Sequence, residues 1–224
     1  MLFSSLFALA VASVTGIAAA QAPAPAASAG RAATVQGVEA KAAMCIGCHG
    51  IPGYQSSFPE VHRVPMISGQ NAKYIVAALN AYKTGDRKHP TMRGIAVSLS
   101  EQDMNEIAAW YEKQGKPAVG DKPSREPSPQ VAALLQKAAC ASCHGANYSK
   151  TVDPSYPKLA GQHADYLFVA LKAYKNEPNN VIGRNNGIMG GIAKQFTNAE
   201  LKAIANHIGS LEGEMQVKSQ SRFR

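Results

Sequence analysis

Apolar residues recur at helical spacing in both halves of the chain, and no stretch has the alternating pattern of a half-buried strand. In the second half, one apolar stripe consists of Val131, Leu134, Leu135 and Ala138. Ser128 and Pro129 precede it and supply the N-cap and first-turn residues that favour a helix start. The pattern therefore predicts a helix that leads into Cys140.

Two further helices are predicted in each half. The middle helices cover about 71–83 and 163–175, where apolar side chains fall on adjoining turns. The last helices open with sequences typical of a capping box, at 100–103 and 197–200. The chain is therefore predicted to be all-α.

The two halves are copies of one unit of roughly ninety residues, a size at which a domain is marginally stable by itself. The paired segments are CIGCH at 45–49 and CASCH at 140–144, PMISGQNAKY at 65–74 and PKLAGQHADY at 157–166, and TMRGIA at 91–96 and IMGGIA at 188–193. Similarity in this order indicates internal duplication. We therefore predict two tandem domains of the same fold.

The repeats and the composition between them predict the domain boundaries. A proline-rich stretch of low apolar content separates the repeats and is typical of an extended linker. The predicted order is a signal peptide at 1–20, a flexible Ala- and Pro-rich segment at 21–34, a first domain at 35–114, a linker at 115–128, a second domain at 129–212 and a C-terminal tail at 213–224.

The first twenty residues contain no charged side chain, and the alanines at 18–20 form a small-residue cleavage site. This segment is interpreted as a secretory signal, cleaved after Ala20 or nearby. It lacks the usual basic residue near its start, so an upstream start codon or an uncleaved membrane anchor is the alternative interpretation.

All four cysteines belong to two C-x-x-C-H motifs, the attachment signature of c-type haem. The predicted thioether-forming residues are Cys45, Cys48, Cys140 and Cys143, and the predicted axial ligands are His49 and His144. A thiol-redox pair would need a strand–helix setting, and a zinc site would need a second ligand pair in each unit. Haem would also supply apolar bulk to a chain with only 7% aromatic residues.

The sixth ligand of each iron separates a carrier from an enzyme, because methionine fills the position and raises the reduction potential. In the second unit the methionines are Met189 and Met215, and Met215 falls in the polar tail. Met189 is therefore the predicted ligand. Its repeat partner Met92 is predicted for the first unit, where Met66 is the rival; the counterpart of Met66 is Lys158.

Other residues support these sites in the prediction. The carbonyls of Pro65 and Pro157 could accept the ring proton of the ligating histidines, although plain turn prolines are the alternative. Arg87 and Arg184 either pair with haem propionates or lie on the solvated surface. Packing roles are predicted for Met44 and Met104, and ordinary structural or surface roles for His62, His89, His163 and His207.

The formal net charge is +8, and ionised propionates on two haems would lower it by a few units. This balance favours acidic protein partners or an anionic membrane surface, although a solvated surface without a partner is equally compatible. The basic residues are scattered along an exported chain. Nucleic acid is therefore not expected as a partner.

These motifs resemble the cytochrome c4 family of di-haem class I cytochromes c, most closely through YPKLAGQHADYL at 156–167 and RNNGIM at 184–189. The resemblance covers about 36–212 and implies two helical domains related by a pseudo-twofold axis. It also implies a periplasmic carrier between quinol-oxidising or dehydrogenase complexes and a terminal oxidase or reductase. The first unit departs more from the family pattern, with extra residues between His49 and Pro65.

The leading hypothesis is therefore an electron carrier that is not itself an enzyme. A second hypothesis is the haem subunit of a multi-subunit oxidoreductase, such as a sulfide or alcohol dehydrogenase complex. A third is a haem enzyme with an exchangeable iron position, against which the matching Met92 and Met189 argue.

Overall fold

The computed structural model describes residues 35–176, 179 and 181–219. The predicted signal peptide at 1–20 and the flexible segment at 21–34 lie outside the described residues. No described helix combines the length and the apolar character that crossing a bilayer requires.

The described chain is mostly helical, as predicted. The first repeat contains α1 (Val35–His49), β1 (Gln55–Ser56), β2 (His62–Arg63), α2 (Ala72–Thr84), α3 (Pro90–Val97) and α4 (Glu101–Glu112). The second repeat contains α5 (Pro129–Ala138), α6 (Ala141–His144), α7 (Ala164–Lys175), α8 (Gly187–Ala193) and α9 (Asn198–Gly209). The short strands β1 and β2 pair antiparallel, and residues 113–128 contain no helix or strand.

Each repeat packs its helices in the same way around its own core. In the first repeat, the middle helix α2 contacts the last helix α4 and the short helix α3. In the second repeat, the middle helix α7 contacts the last helix α9 and the short helix α8 in the same way. The first cluster includes Ala42, Ile46, Ile75, Leu79, Ala96, Leu99, Met104, Ile107, Ala108 and Tyr111. The second includes Leu135, Ala138, Tyr148, Ala160, Leu167, Phe196, Leu201, Ile204, Ala205, Ile208 and Leu211.

The predicted helix starts are confirmed. Ser100 and Thr197 each form a complete capping box, with Asp103 and Glu200 respectively. The side chain of Ser128 caps α5, and Pro129 stands in its first turn. Such caps satisfy backbone N–H groups that have no partner inside the helix.

The repeats contact each other directly. Arg87 and Arg184 form an isolated antiparallel backbone bridge. The Arg63 guanidinium pairs with the Asp165 carboxylate at 3.0 Å. The two halves therefore meet through backbone and charge contacts, and the backbone bridge joins equivalent positions of the two repeats.

The C-terminal stretch runs from the second repeat back onto the first, which its polar sequence did not indicate. The Gln216 amide donates to the Ser68 carbonyl at 3.0 Å, and the Lys116 amide donates to the Glu214 carbonyl at 2.7 Å. Gly69 is needed at this crossing, because its φ is +88° and a Cβ would lie 2.7 Å from the Glu214 carbonyl oxygen. Residues 213–219 thus join the two repeats.

Met104 and Met44 offer a matched test of the first core. Met104 is fully buried, which confirms its predicted packing role, whereas Met44 is 46% exposed and its predicted packing role is wrong. We expect Met104→Ala to lower the free energy of unfolding by about 2–5 kcal/mol, and Met44→Ala to change it by about 0.5 kcal/mol or less. Denaturant titration followed by circular dichroism checks this difference, and equal effects would contradict the assigned core.

Candidate haem sites

The two motif histidines are held in the same way by backbone carbonyls. The Nδ1 of His49, at the end of α1, lies 2.7 Å from the Pro65 carbonyl oxygen. The Nδ1 of His144, at the end of α6, lies 2.9 Å from the Pro157 carbonyl oxygen. Because a carbonyl only accepts, Nδ1 carries the proton in both rings and Nε2 keeps its lone pair for a metal. The predicted role of both prolines is confirmed.

Burial keeps these imidazoles neutral. It lowers the pKa of His49 and of His144, and the bonds to the Pro65 and Pro157 carbonyls oppose this shift only in part. A neutral imidazole is the form that binds a metal.

The cysteines are not poised for thiol–disulfide chemistry. All four are unpaired, and burial raises the pKa of Cys45 and of Cys140 to about 11. The reactive cysteine of a thiol-redox motif has a lowered pKa instead. The thiols of Cys45 and Cys140 are therefore protonated, and these two residues pack against the buried clusters, where thioether bonds would place an apolar macrocycle.

The motifs end a helix in both repeats, but by different routes. In the first repeat α1 continues through Cys45 and Cys48 to His49. In the second, α5 ends at Ala138 and Ala139 adopts a left-handed conformation with φ 48°. The short helix α6 then begins after Cys140 and contains Cys143 and His144.

The two candidate methionines occupy equivalent positions. Met92 is the third residue of α3, and its amide donates to Nδ1 of the N-cap His89 at 3.4 Å. Met189 is the third residue of α8, and its amide donates to Oδ1 of the N-cap Asn186 at 2.9 Å. Both side chains are partly exposed.

This arrangement gives His89 a role that sequence comparison missed. His89 has Asn186 as its repeat partner, so residue type alone did not reveal the shared capping function.

In the second repeat, α8 also lines a cavity of about 290 Å³ together with Tyr174 and Arg184.

The paired arginines lie in a cluster of tyrosines where the repeats meet. Arg87 is 6% exposed, so the surface alternative for this residue is wrong. One of its guanidinium nitrogens donates to the hydroxyls of Tyr74 and Tyr166, at 3.1 Å each. Arg184 donates to the same Tyr166 hydroxyl at 3.2 Å. The guanidiniums of Arg87 and Arg184 also lie over the rings of Tyr82 and Tyr174 respectively.

This cluster carries positive charge without a carboxylate partner among the described residues. Burial opposes ionisation of Tyr166, but the guanidiniums of Arg184 and Arg87 outweigh it and lower the pKa to about 8. The buried Nε of Arg87 has no hydrogen-bond partner among those residues. A buried cation such as Arg87 is costly to the fold unless an anion pairs with it.

These features fit haem c in each repeat. The cysteines can hold it covalently, a histidine of fixed tautomer offers Nε2, and the arginine cluster suits an anionic group such as a propionate. A helical unit with this motif is a class I cytochrome c domain, and the chain contains two of them.

Comparison with known proteins agrees. The family described as Cytochrome c matches residues 130–212. Cytochrome c4 of Azotobacter vinelandii is 31% identical over 82% of this chain and 90% of that protein. The thiosulfate dehydrogenase electron acceptor of Stutzerimonas stutzeri is 29% identical over 80% of this chain and 83% of that protein. The chain belongs to the cytochrome c4 family.

A solved structure supports the same fold. The crystal structure of reduced recombinant cytochrome c4 from Pseudomonas stutzeri has a TM-score of 0.59 and 26% identity, covering 81% of this chain and all of that one. The chain is therefore a di-haem electron-transfer cytochrome that carries haem c and is not an enzyme.

Proposed function

We propose that the chain is a periplasmic electron carrier in which His49 and Met92 ligate the first iron, and His144 and Met189 ligate the second. Haem c supplies a one-electron ferric–ferrous couple when bound. The protein contributes the fixed histidine tautomer and the sixth ligand. The observation that carries the proposal is the equivalent construction of the two sites.

The position of Met66 supports Met92 as the sixth ligand. The backbone amide and carbonyl of Met66 both bond to the side chain of Gln162. Met66 directly follows Pro65, whose carbonyl accepts the ring proton of His49. The Met66 backbone therefore lies beside the Nδ1 edge of the His49 ring, whereas Nε2, the nitrogen that would bind iron, is on the opposite edge of the ring.

The relatives suggest the class of partner. Since one relative is named as the electron acceptor of a thiosulfate dehydrogenase, we propose a dehydrogenase of this kind, or a quinol-oxidising complex, as donor. A terminal oxidase or a reductase would be the acceptor. The basic net charge would favour acidic docking surfaces or an anionic membrane surface.

A second candidate is a permanent haem subunit of an oxidoreductase complex, since the same relative is named for the dehydrogenase from which it accepts electrons. Purification under native conditions separates the two. A carrier is recovered as a free di-haem protein, whereas a flavin, quinone or molybdenum subunit that copurifies in fixed ratio indicates the complex.

Optical spectra with redox titration test the proposed ligation. We expect the oxidised protein to have a methionine-to-iron charge-transfer band for both haems, and two one-electron steps on titration. We expect no binding of cyanide to the untreated oxidised protein. Rapid binding at one haem would contradict the proposed pair of closed sites, and recovery of the chain outside the periplasm would contradict its export.

A further inference from the structure

Two buried glutamines join the repeats by a reciprocal pair of hydrogen bonds. The side-chain oxygen of Gln162 accepts from the Met66 amide at 3.0 Å, and its nitrogen donates to the Met66 carbonyl at 2.9 Å. The side chain of Gln70 makes the same two bonds with Lys158, at 2.8 and 3.0 Å. Both glutamines are 3% exposed. Each repeat therefore holds the backbone of the other.

The backbone that each glutamine holds belongs to the other repeat's histidine site. The Met66 amide and the Pro65 carbonyl are the two ends of one peptide unit, and that carbonyl accepts the ring proton of His49. A chain of hydrogen bonds thus runs from Gln162 in the second repeat to His49 in the first. An equivalent chain runs from Gln70 through the Pro157–Lys158 peptide to His144.

The orientation of the amide groups follows from their partners. The Gln70 oxygen also accepts from the Asn71 amide at 2.9 Å, and the Gln162 oxygen accepts from the His163 amide at 3.0 Å. The nitrogens of both glutamines point to the buried sulfur of Met215, at 3.3 and 3.6 Å. Each oxygen therefore receives N–H donors and each nitrogen has acceptors.

Hydrogen bonds in series strengthen one another in a low-dielectric interior. An acceptor on the peptide N–H polarises the peptide, so its carbonyl becomes a better acceptor for the histidine ring proton. A stronger bond at Nδ1 makes the imidazole a more basic ligand, which favours ferric iron and lowers the reduction potential. The glutamines can therefore act on the metal sites without touching them.

We propose that Gln162 and Gln70 are crossed positioning residues: each sets the histidine hydrogen bond, and through it the reduction potential, of the haem in the opposite repeat. The inference rests on the proposed function, because it requires His49 and His144 to be axial ligands. It means that the potential of each haem depends on contact with its neighbour. A purely structural role would instead loosen the interface without a crossed effect.

Substitution of each glutamine in the complete holoprotein tests the crossed effect. In Gln162→Leu we expect the potential of the haem at Cys45 and Cys48 to rise more than that of the other haem. In Gln70→Leu the larger rise belongs to the haem at Cys140 and Cys143. Spectroelectrochemical titration gives both potentials, and NMR of the haem methyl groups assigns them.

Gln102→Leu is the matched control, since Gln102 is exposed and bonds within its own helix to Glu106. It should leave both potentials unchanged. Equal shifts at the two haems, larger shifts at the haem of the substituted repeat, or no shift would overturn the proposal. Where a leucine variant does not fold, the corresponding methionine variant is tested instead, because methionine keeps the unbranched shape of glutamine.

The unsubstituted protein provides a measurement that does not depend on any variant. The Nδ1 protons of His49 and His144 should resonate downfield of those of a histidine bonded to an ordinary carbonyl. Ordinary shifts at both would overturn the inference. Failure of the proposed axial ligation is distinguished from failure of the crossed effect by the optical spectrum of the same sample. Without that ligation, the low-spin spectrum of a histidine–methionine haem would be absent.

Discussion

Under the proposed ligation, we expect Met189→Ala to open the second iron to added ligands and to lower its reduction potential by several tenths of a volt. The expected size follows because axial ligands alone set haem potentials over a range of about 0.8 V. The side chain stands at the third position of the capped helix α8, and alanine keeps that helix while it removes the sulfur. Cyanide titration, the charge-transfer band and the titrated potential report the change.

Met92→Ala should do the same at the first haem and leave the second unchanged. Met66→Leu is the control in that repeat, because its backbone bonds to Gln162 survive the substitution. If Met66→Leu abolishes the charge-transfer band of the first haem and Met92→Ala does not, the ligand assignment in the first repeat is wrong.

Most of the helices could be predicted from the sequence, because helix caps and apolar spacing are local signals and both repeats contain them. Ser100, Thr197 and Ser128 occupy the predicted cap positions. The histidine–proline bonds were also predictable, since both repeats place a proline at matching points after the motif.

The contacts between the repeats were not predictable in the same way. Met215 belongs to a polar stretch, and only the three-dimensional return of residues 213–219 brings it between Gln70 and Gln162. Burial of Arg87 likewise depends on tyrosines contributed by both halves, such as Tyr74 and Tyr166. Such contacts join residues that are distant in sequence, and periodicity carries no information about them.

The chain without haem should lose most of its cooperative stability. Each repeat is a unit of roughly ninety residues, a size at which little core is available. The buried cluster of the second repeat is built mainly from aliphatic side chains, and among the described residues only Tyr148 and Phe196 contribute rings to its buried part. We expect removal of the macrocycle from a core of this size to cost an amount comparable to the whole stability of a domain, about 5–15 kcal/mol.

The double variant Cys140→Ala and Cys143→Ala, which cannot attach the second haem, tests this expectation. We expect the second repeat to lose cooperative thermal unfolding and much of its helical circular dichroism. The matched variant Cys45→Ala and Cys48→Ala should affect the first repeat in the same way. Because Gln70 and Gln162 tie the repeats together, each variant should also lower the unfolding temperature of the repeat that keeps its haem. A haem-free chain that unfolds cooperatively from native-like helix content would show that side-chain packing alone stabilises the fold.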